Sequence, residues 1–199
     1  MSSKILTFPN LLTFLRMALI PLFASLLYYG HSDWALVVFI IAGASDGIDG
    51  FVARRFNQQS ELGTILDPIA DKLLMTTAFV ILTLPNIFPP TRHLPVPFWV
   101  TASVIGRDVL IIAVAAAIFI ITDFRGFKPS RLGKLSTLVQ VCGVGLILLA
   151  AVFPTLQSFF LPTVYTTVTA LAVFSGVHYI FYVARLMKNA DATKNVSPD

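Results

Sequence analysis

The chain has 199 residues, 56% of them hydrophobic and only 12% charged, with a net charge of +4 and a mean hydropathy of +0.83, which excludes an ordinary soluble domain and marks an integral membrane protein. A single cysteine, Cys142, leaves neither an intrachain disulfide nor a cysteine metal site, so redox chemistry gets no support. Beyond the apolar stretches only short loops and a polar tail, residues 188–199, are left, and one membrane-embedded domain over 1–199 is expected.

The opening M-S-S-K-I-L-T-F-P-N lacks the short apolar core and cleavage site of a secretory signal, and the first helix is expected to stay. The apolar runs predict an all-α protein with six transmembrane helices, at about Phe8 to Tyr29, Trp34 to Arg55, Glu61 to Leu84, Val96 to Thr122, Leu132 to Phe153 and Thr163 to Met187. Pro9, Pro85, Pro89, Pro90, Pro95, Pro97, Pro129, Pro154 and Pro162 cluster near the proposed ends, where a missing N–H does least damage.

Lysine and arginine placement sets the direction, because short basic loops stay in the cytoplasm. Lys4, the Arg54/Arg55 link, the link with Arg125, Lys128, Arg131 and Lys134, and the tail with Arg185, Lys188 and Lys194 alternate with loops that hold only Arg92. Both termini are therefore expected on the cytoplasmic side, and the positive net charge suits an anionic lipid surface.

Within the second and third predicted helices stand four aspartates, Asp46, Asp49, Asp67 and Asp71, three, eighteen and four residues apart. Each pair has helical spacing and shares one face. An ionised carboxylate on a membrane helix costs roughly 2.5–3.5 kcal/mol on insertion scales, so the acids require neutralisation, and divalent cations suit hard carboxylate oxygens. Helix rise places all four in the cytoplasmic half, where Arg16, Arg107 and Asp108 can reach a similar level, and one cytoplasm-facing polar cavity is expected to collect them. Gly47, Gly50 and Gly63 beside the acids permit close approach of a backbone or a ligand, whereas Gly143 and Gly145 read as helix packing. Carboxylates holding divalent metal at a cytosolic opening suit phosphoryl or pyrophosphate chemistry, with one aspartate available as base. Lys128, Ser130, Arg131, Lys134 and Thr137 form a candidate anion site at the start of the fifth helix; the plain alternative is the positive-inside signal, and the two readings stand level.

The pattern Asp46-x-x-Asp49-Gly50-x-x-Ala53-Arg54, eight residues, then Gly63-x-x-x-Asp67-x-x-x-Asp71 resembles, in every fixed position, the signature of the CDP-alcohol phosphatidyltransferase family. The six-helix layout, N10-L-L-T13-F-L-R16 and G133-K-L-S-T137-L-V-Q are also similar to that family. The resemblance implies transfer of a phosphatidyl group from CDP-diacylglycerol to an alcohol with release of CMP. It implies two Mg or Mn ions on Asp46, Asp49, Asp67 and Asp71, with Asp71 also deprotonating the acceptor. It further implies a CDP site formed by Asp49, Gly50, Ala53, Arg54, Gly63 and Asp67.

The same segments resemble the branch using glycerol-based acceptors, the phosphatidylglycerophosphate synthases with glycerol 3-phosphate and the cardiolipin synthases with phosphatidylglycerol. Both acceptors carry phosphate, for which Arg16, Arg107, Arg131 and Lys134 are the candidate ligands. After G106-R107-D108 the residues are apolar where many phosphatidylglycerophosphate synthases have a second arginine, so the segment leans to the cardiolipin synthase form. Membrane lipids are the expected surroundings, in a bacterial inner membrane, with no nucleic acid partner; dimers are common in the similar family, and the apolar faces accommodate a homodimer.

Plainer readings stand beside these. Arg107 and Asp108 are adjacent, point about 100° apart on a helix and need not pair with each other, and a structural contact between helices competes with acceptor binding. His31, His93 and His178 have no ligand spacing. The rival class is a small ion or proton-coupled transporter, since intramembrane acids also mark ion pathways; it would favour internal repeats and midplane acids, and the chain has no convincing repeat.

Overall fold

The computed structural model describes the backbone of residues 8–56, 61–88, 94–122 and 131–194, and side chains at 11–45, 63, 66–88, 94–117, 120, 132–156 and 160–185. Among these residues the protein is all α, with six helices and no strand. They are α1 (Phe8–Tyr28), α2 (Ser32–Phe56), α3 (Glu61–Thr83), α4 (Phe98–Thr122), α5 (Arg131–Val152) and α6 (Gln157–Lys194), with one 3₁₀ turn, Pro154–Leu156, ahead of α6.

Five helices lie within a few residues of their expected bounds. The sixth departs: α6 begins ahead of Thr163, encloses Pro162 and continues to Lys194, so much of the expected polar tail is helical. The residues after Met187 include Lys188, Ala190, Ala192 and Lys194, good helix formers, with no glycine, and proline first returns at Pro198. Pro21 and Pro68 also lie inside helices, in α1 and α3. Membrane helices accommodate such interruptions because nearby groups take up the freed carbonyls.

Among the described residues four segments are long and apolar enough to cross a membrane: Leu11–Tyr28, Phe98–Ala117, Leu132–Val152 and Phe160–Arg185. In α2 the apolar part is the shorter Ser32–Ser45. At about 1.5 Å per residue the 25 residues of α2 and 23 of α3 are long enough to span. What sets these two helices apart is the charge they carry.

The chain divides into two compact units, one within Met1–Phe98 and Val141–Val164, the other within Trp99–Gln140 and Tyr165–Asp199. In the first unit α1 packs against both α2 and α3. Its interior holds Phe23 and Leu27 of α1, Ala35, Phe39 and Ala42 of α2, and Leu74, Ala78, Phe79 and Leu82 of α3, all buried. Phe23 and Phe39 meet with ring centroids 5.9 Å apart. A Cβ on Gly145 would sit 3.9 Å from Cε1 of Phe39, so that glycine is a packing residue as its sequence context suggested. Since lipid is as apolar as these side chains, close dispersion contact rather than escape from water holds such helices together. In the second unit Tyr179 and Val183 form a buried cluster with Ile111, Val114 and Tyr182.

The turn from α1 to α2 depends on one residue. Gly30 has φ of +80°, and the amides of Gly30 and His31 donate to the carbonyls of Leu27 and Leu26 at 3.1 and 2.8 Å, a Schellman closure that satisfies the last carbonyls of α1. A side chain in this left-handed conformation costs about 1–2 kcal/mol. Gly43, in the middle of α2, has open space where a Cβ would go. Gly30→Ala is therefore expected to lower the Tm of the purified protein in detergent, whereas Gly43→Ala leaves it level or raises it; equal shifts for the two would contradict the turn assignment.

Candidate functional site

The first unit holds most of the expected site. Asp46, Asp49, Gly50, Ala53 and Arg54 all lie on the helical backbone of α2, with side chains outside the described residues. On α3, Gly63 is buried and Asp67 and Asp71 are half-buried, one turn apart on the same face. Arg16, on α1, is 1% exposed, which is a rare degree of burial for a cation.

One contact ties these elements together. The Oγ1 hydroxyl of Thr13 on α1 donates a hydrogen bond to Oδ1 of Asp67 on α3. Thr13 is itself 1% exposed and stands one turn before Arg16, on the same face of α1. The hydroxyl is a neutral donor, so it orients the carboxylate while leaving its charge in place. Because α1 is packed against both α2 and α3, the two aspartate-bearing helices share one neighbour.

This donor set fits a divalent cation. Asp67 and Asp71 offer hard oxygens on one helix face, and the bond from Thr13 leaves Oδ2 and further lone pairs of Asp67 for another partner. Among the described residues no group of three or more histidine, cysteine or acidic side chains gathers. Asp46 and Asp49, the other half of the expected set, lie outside them.

In the second unit Arg107 is buried and makes three bonds. Its Nη1 meets Oδ1 of Asp108 at 2.7 Å, while Nη2 donates to the Gly133 carbonyl at 3.2 Å and to Ser175 Oγ at 3.3 Å. The two neighbours on α4 therefore do pair, which the helical angle between them left open. The arginine side chain is long enough to bend across the angle between adjacent positions, and burial of both groups favours the ion pair over separation. Through Arg107 the helices α4, α5 and α6 are joined. Gly176 lies over this arginine, where a Cβ would meet Arg107 Cγ at 3.7 Å, an ordinary van der Waals contact. Arg107 Nε remains buried without a hydrogen-bond partner among the described residues.

Helix α5 presents Gly133, Ser136, Thr137 and Gln140 at spacings that share one face. Ser136 and Gln140 are buried, and Gln140 Nε2 approaches Ser136 Oγ at 3.5 Å. Thr137 donates to the Gly133 carbonyl at 3.2 Å. Lys134 is exposed in the first turn, and Arg131 begins the helix with its side chain outside the described residues. Lys128 and Ser130 of the candidate anion site also lie outside them. Thr13, Ser175 and Gln140 are polar residues that site prediction passed over, whereas Asp108 was expected beside Arg107. The signals for Thr13 and Gln140 lay inside the quoted motifs, and that for Ser175 in a serine–glycine pair within an apolar helix.

Removing one partner of a buried ion pair leaves an uncompensated charge, which costs about 3–5 kcal/mol. Asp108→Ala is expected to lower Tm strongly. Ser175→Ala removes one hydrogen bond, for about 0.5–1.5 kcal/mol, and is expected to lower it modestly. Comparable Tm values for the two variants would contradict a closed Arg107–Asp108 pair.

With this arrangement described, likeness to known proteins becomes informative. Residues 6–187 match the family CDP-alcohol phosphatidyltransferase. The chain is 34% identical over 195 residues to the cardiolipin synthase (CMP-forming) of Homo sapiens, covering 87% of this chain and 61% of that protein. It thus spans less than two thirds of the human relative's length. It is 33% identical over 199 residues to the cardiolipin synthase (CMP-forming) of Streptomyces coelicolor, covering 94% of this chain and 87% of that one. A probable phosphatidylglycerophosphate synthase of Mycobacterium tuberculosis is 31% identical over 185 residues, covering 89% of this chain and 82% of its own. The chain belongs to the CDP-alcohol phosphatidyltransferase family.

Proposed function

We propose that this protein transfers the phosphatidyl group of CDP-diacylglycerol to phosphatidylglycerol, releasing CMP in phospholipid biosynthesis, through a single catalytic domain over 1–199. The observation that carries the reading is the similarity to the Streptomyces coelicolor cardiolipin synthase, which runs over nearly all of both chains. The half-buried Asp67 and Asp71 on one face of α3 support it chemically.

Asp46, Asp49, Asp67 and Asp71 would hold two Mg or Mn ions. When bound, these ions supply charge neutralisation at the pyrophosphate oxygens and at the leaving phosphate. Asp49 and Asp67 with Gly50, Ala53, Arg54 and Gly63 form the CDP site in this reading. The buried Gly63 permits close approach of the nucleotide, and the Arg54 guanidinium is suited to pair with a phosphate oxygen.

The Asp71 carboxylate takes the proton of the acceptor hydroxyl. As that proton leaves, the hydroxyl oxygen bonds to the phosphorus bearing the diacylglycerol. The bond from this phosphorus to the oxygen shared with CMP breaks, and CMP departs with the electron pair. Arg16, Arg107, Arg131 and Lys134 bind the acceptor phosphate in this reading. The burial of Arg16 and the unengaged Nε of Arg107 support the first two. Arg131 and Lys134 are supported by their position in the first turn of α5, where the helix dipole favours an anion.

The orientation proposed is six spans with both termini and the active site facing the cytoplasm, in a bacterial inner membrane. The exposed aromatic residues Tyr28, Tyr29, Trp34, Phe98, Trp99 and Phe153 support it. In the sequence these residues stand at or beside helix ends joined by links without lysine or arginine clusters, where aromatic rings suit a membrane interface. A second copy of the chain is the protein partner, by likeness to the family. The transport alternative has no observation in its favour once the chain stands in a transferase family.

CMP release by the purified protein in mixed micelles, with Mg or Mn and CDP-diacylglycerol, is expected to depend on added phosphatidylglycerol. Release driven by glycerol 3-phosphate instead would move the protein to the phosphatidylglycerophosphate synthase branch. Asp71→Asn is expected to lose at least about 10²–10⁴-fold of the rate with the wild-type Tm retained. Near-normal turnover in that variant would sink the base assignment.

A further inference from the structure

Several hydroxyl groups described on these helices bond locally, and Ser103 in addition lies 3.3 Å from the Thr169 hydroxyl on another helix. Ser25, Ser45, Thr83 and Ser103 each donate to a carbonyl three or four residues earlier on their own helix, the usual arrangement for serine and threonine in apolar helices. Thr13 differs. Its hydroxyl reaches the Asp67 carboxylate on another helix, 54 positions away in sequence, with the threonine almost completely buried.

The consequence follows from the torsional freedom of aspartate. Its terminal torsion is broad and roughly two-fold, so an unrestrained carboxylate rotates readily about χ2. A donor on Oδ1 fixes the carboxylate plane and decides which way Oδ2 points. Ligand carboxylates of metal sites are held by such outer hydrogen bonds, which set orientation before the cation arrives. A lysine or arginine in the same place would orient the group equally well but would compete with the cation for its charge. A threonine hydroxyl does not. The α1 face that carries Thr13 also carries the buried Arg16 one turn later, so a neutral donor next to the carboxylate and a cation one turn away divide orientation from charge.

We infer that Thr13 is a positioning residue of the divalent-cation site, holding Asp67 in its ligating orientation through the Oγ1–Oδ1 hydrogen bond. The inference rests on the proposal that Asp67 is a cation ligand. In this reading Thr13 acts through Asp67.

The test is Mn2+ binding to the full-length purified protein without substrate, followed by the electron paramagnetic resonance signal of free Mn2+. The proteins compared are wild type, Thr13→Val, Thr13→Ser and Asp67→Asn, with Tm measured on the metal-free proteins. Thr13→Val keeps the shape and removes the hydroxyl. It is expected to raise the Mn2+ dissociation constant about 10–100-fold, the range for lost outer-sphere contacts, while Thr13→Ser restores binding and the metal-free Tm changes little. Where Thr13→Val yields no folded protein, Thr13→Ala carries the same comparison. Wild-type affinity in the hydroxyl-free variant, with or without a lower Tm, would reduce Thr13 to a tie between helices and overturn the inference alone. Failure of Thr13→Ser to restore binding would also overturn it alone. Absence of binding by wild type, or undiminished binding by Asp67→Asn, would overturn the cation site itself and this inference with it.

Discussion

An ionised side chain at the centre of a membrane helix costs about 2.5–3.5 kcal/mol on insertion scales, and the buried charges of this protein are accommodated in two different ways. In the second unit Arg107 and Asp108 close on each other through Nη1, and Nη2 of the arginine is directed to Gly133 and Ser175. That arrangement joins three helices through one guanidinium. In the first unit the Asp67 carboxylate receives a hydrogen bond from a neutral hydroxyl. A charge matched inside the protein stabilises structure, whereas one that is oriented but not neutralised is suited to a cation.

The same division runs through the helices. Four of them contain apolar segments long enough to cross a membrane, and the two that carry the aspartate pairs are interrupted by charge. Helix α1 packs against both charged helices, which explains how an apolar helix comes to contribute Thr13 and Arg16 to a polar region. The bonds around Gly133 connect the arginine of α4 with the start of α5, where Arg131 and Lys134 stand. Rigidity at that junction would keep the two cations in a constant position relative to α4.

Much of this was legible in the sequence, for reasons that can be named. The helices follow from apolar run length, and the four aspartates stand out because composition makes them expensive. Gly145 reads as packing and does pack, against Phe39. The end of α6 was not legible from hydropathy, because hydropathy marks what lipid covers, while the hydrogen-bond ladder continues through Lys188, Ala190 and Ala192 to Lys194. Backbone angles left the Arg107–Asp108 pair open, and the length of arginine closes it across a separation of about 100° between adjacent helical positions. The Thr13–Asp67 bond joins two helices distant in the chain, a contact that neither helical periodicity nor motif spacing encodes. The roles of Asp46, Asp49, Gly50, Ala53, Arg54 and Arg131 rest on the motif and on helical register.

The central claim is that the aspartates of α2 and α3 form one divalent-cation site. Anomalous diffraction from crystals grown with Mn2+ tests it most directly. The account predicts anomalous density against the carboxylates of Asp46, Asp49, Asp67 and Asp71. Density on other residues alone, or none at Mn2+ concentrations that sustain CMP release, would contradict it.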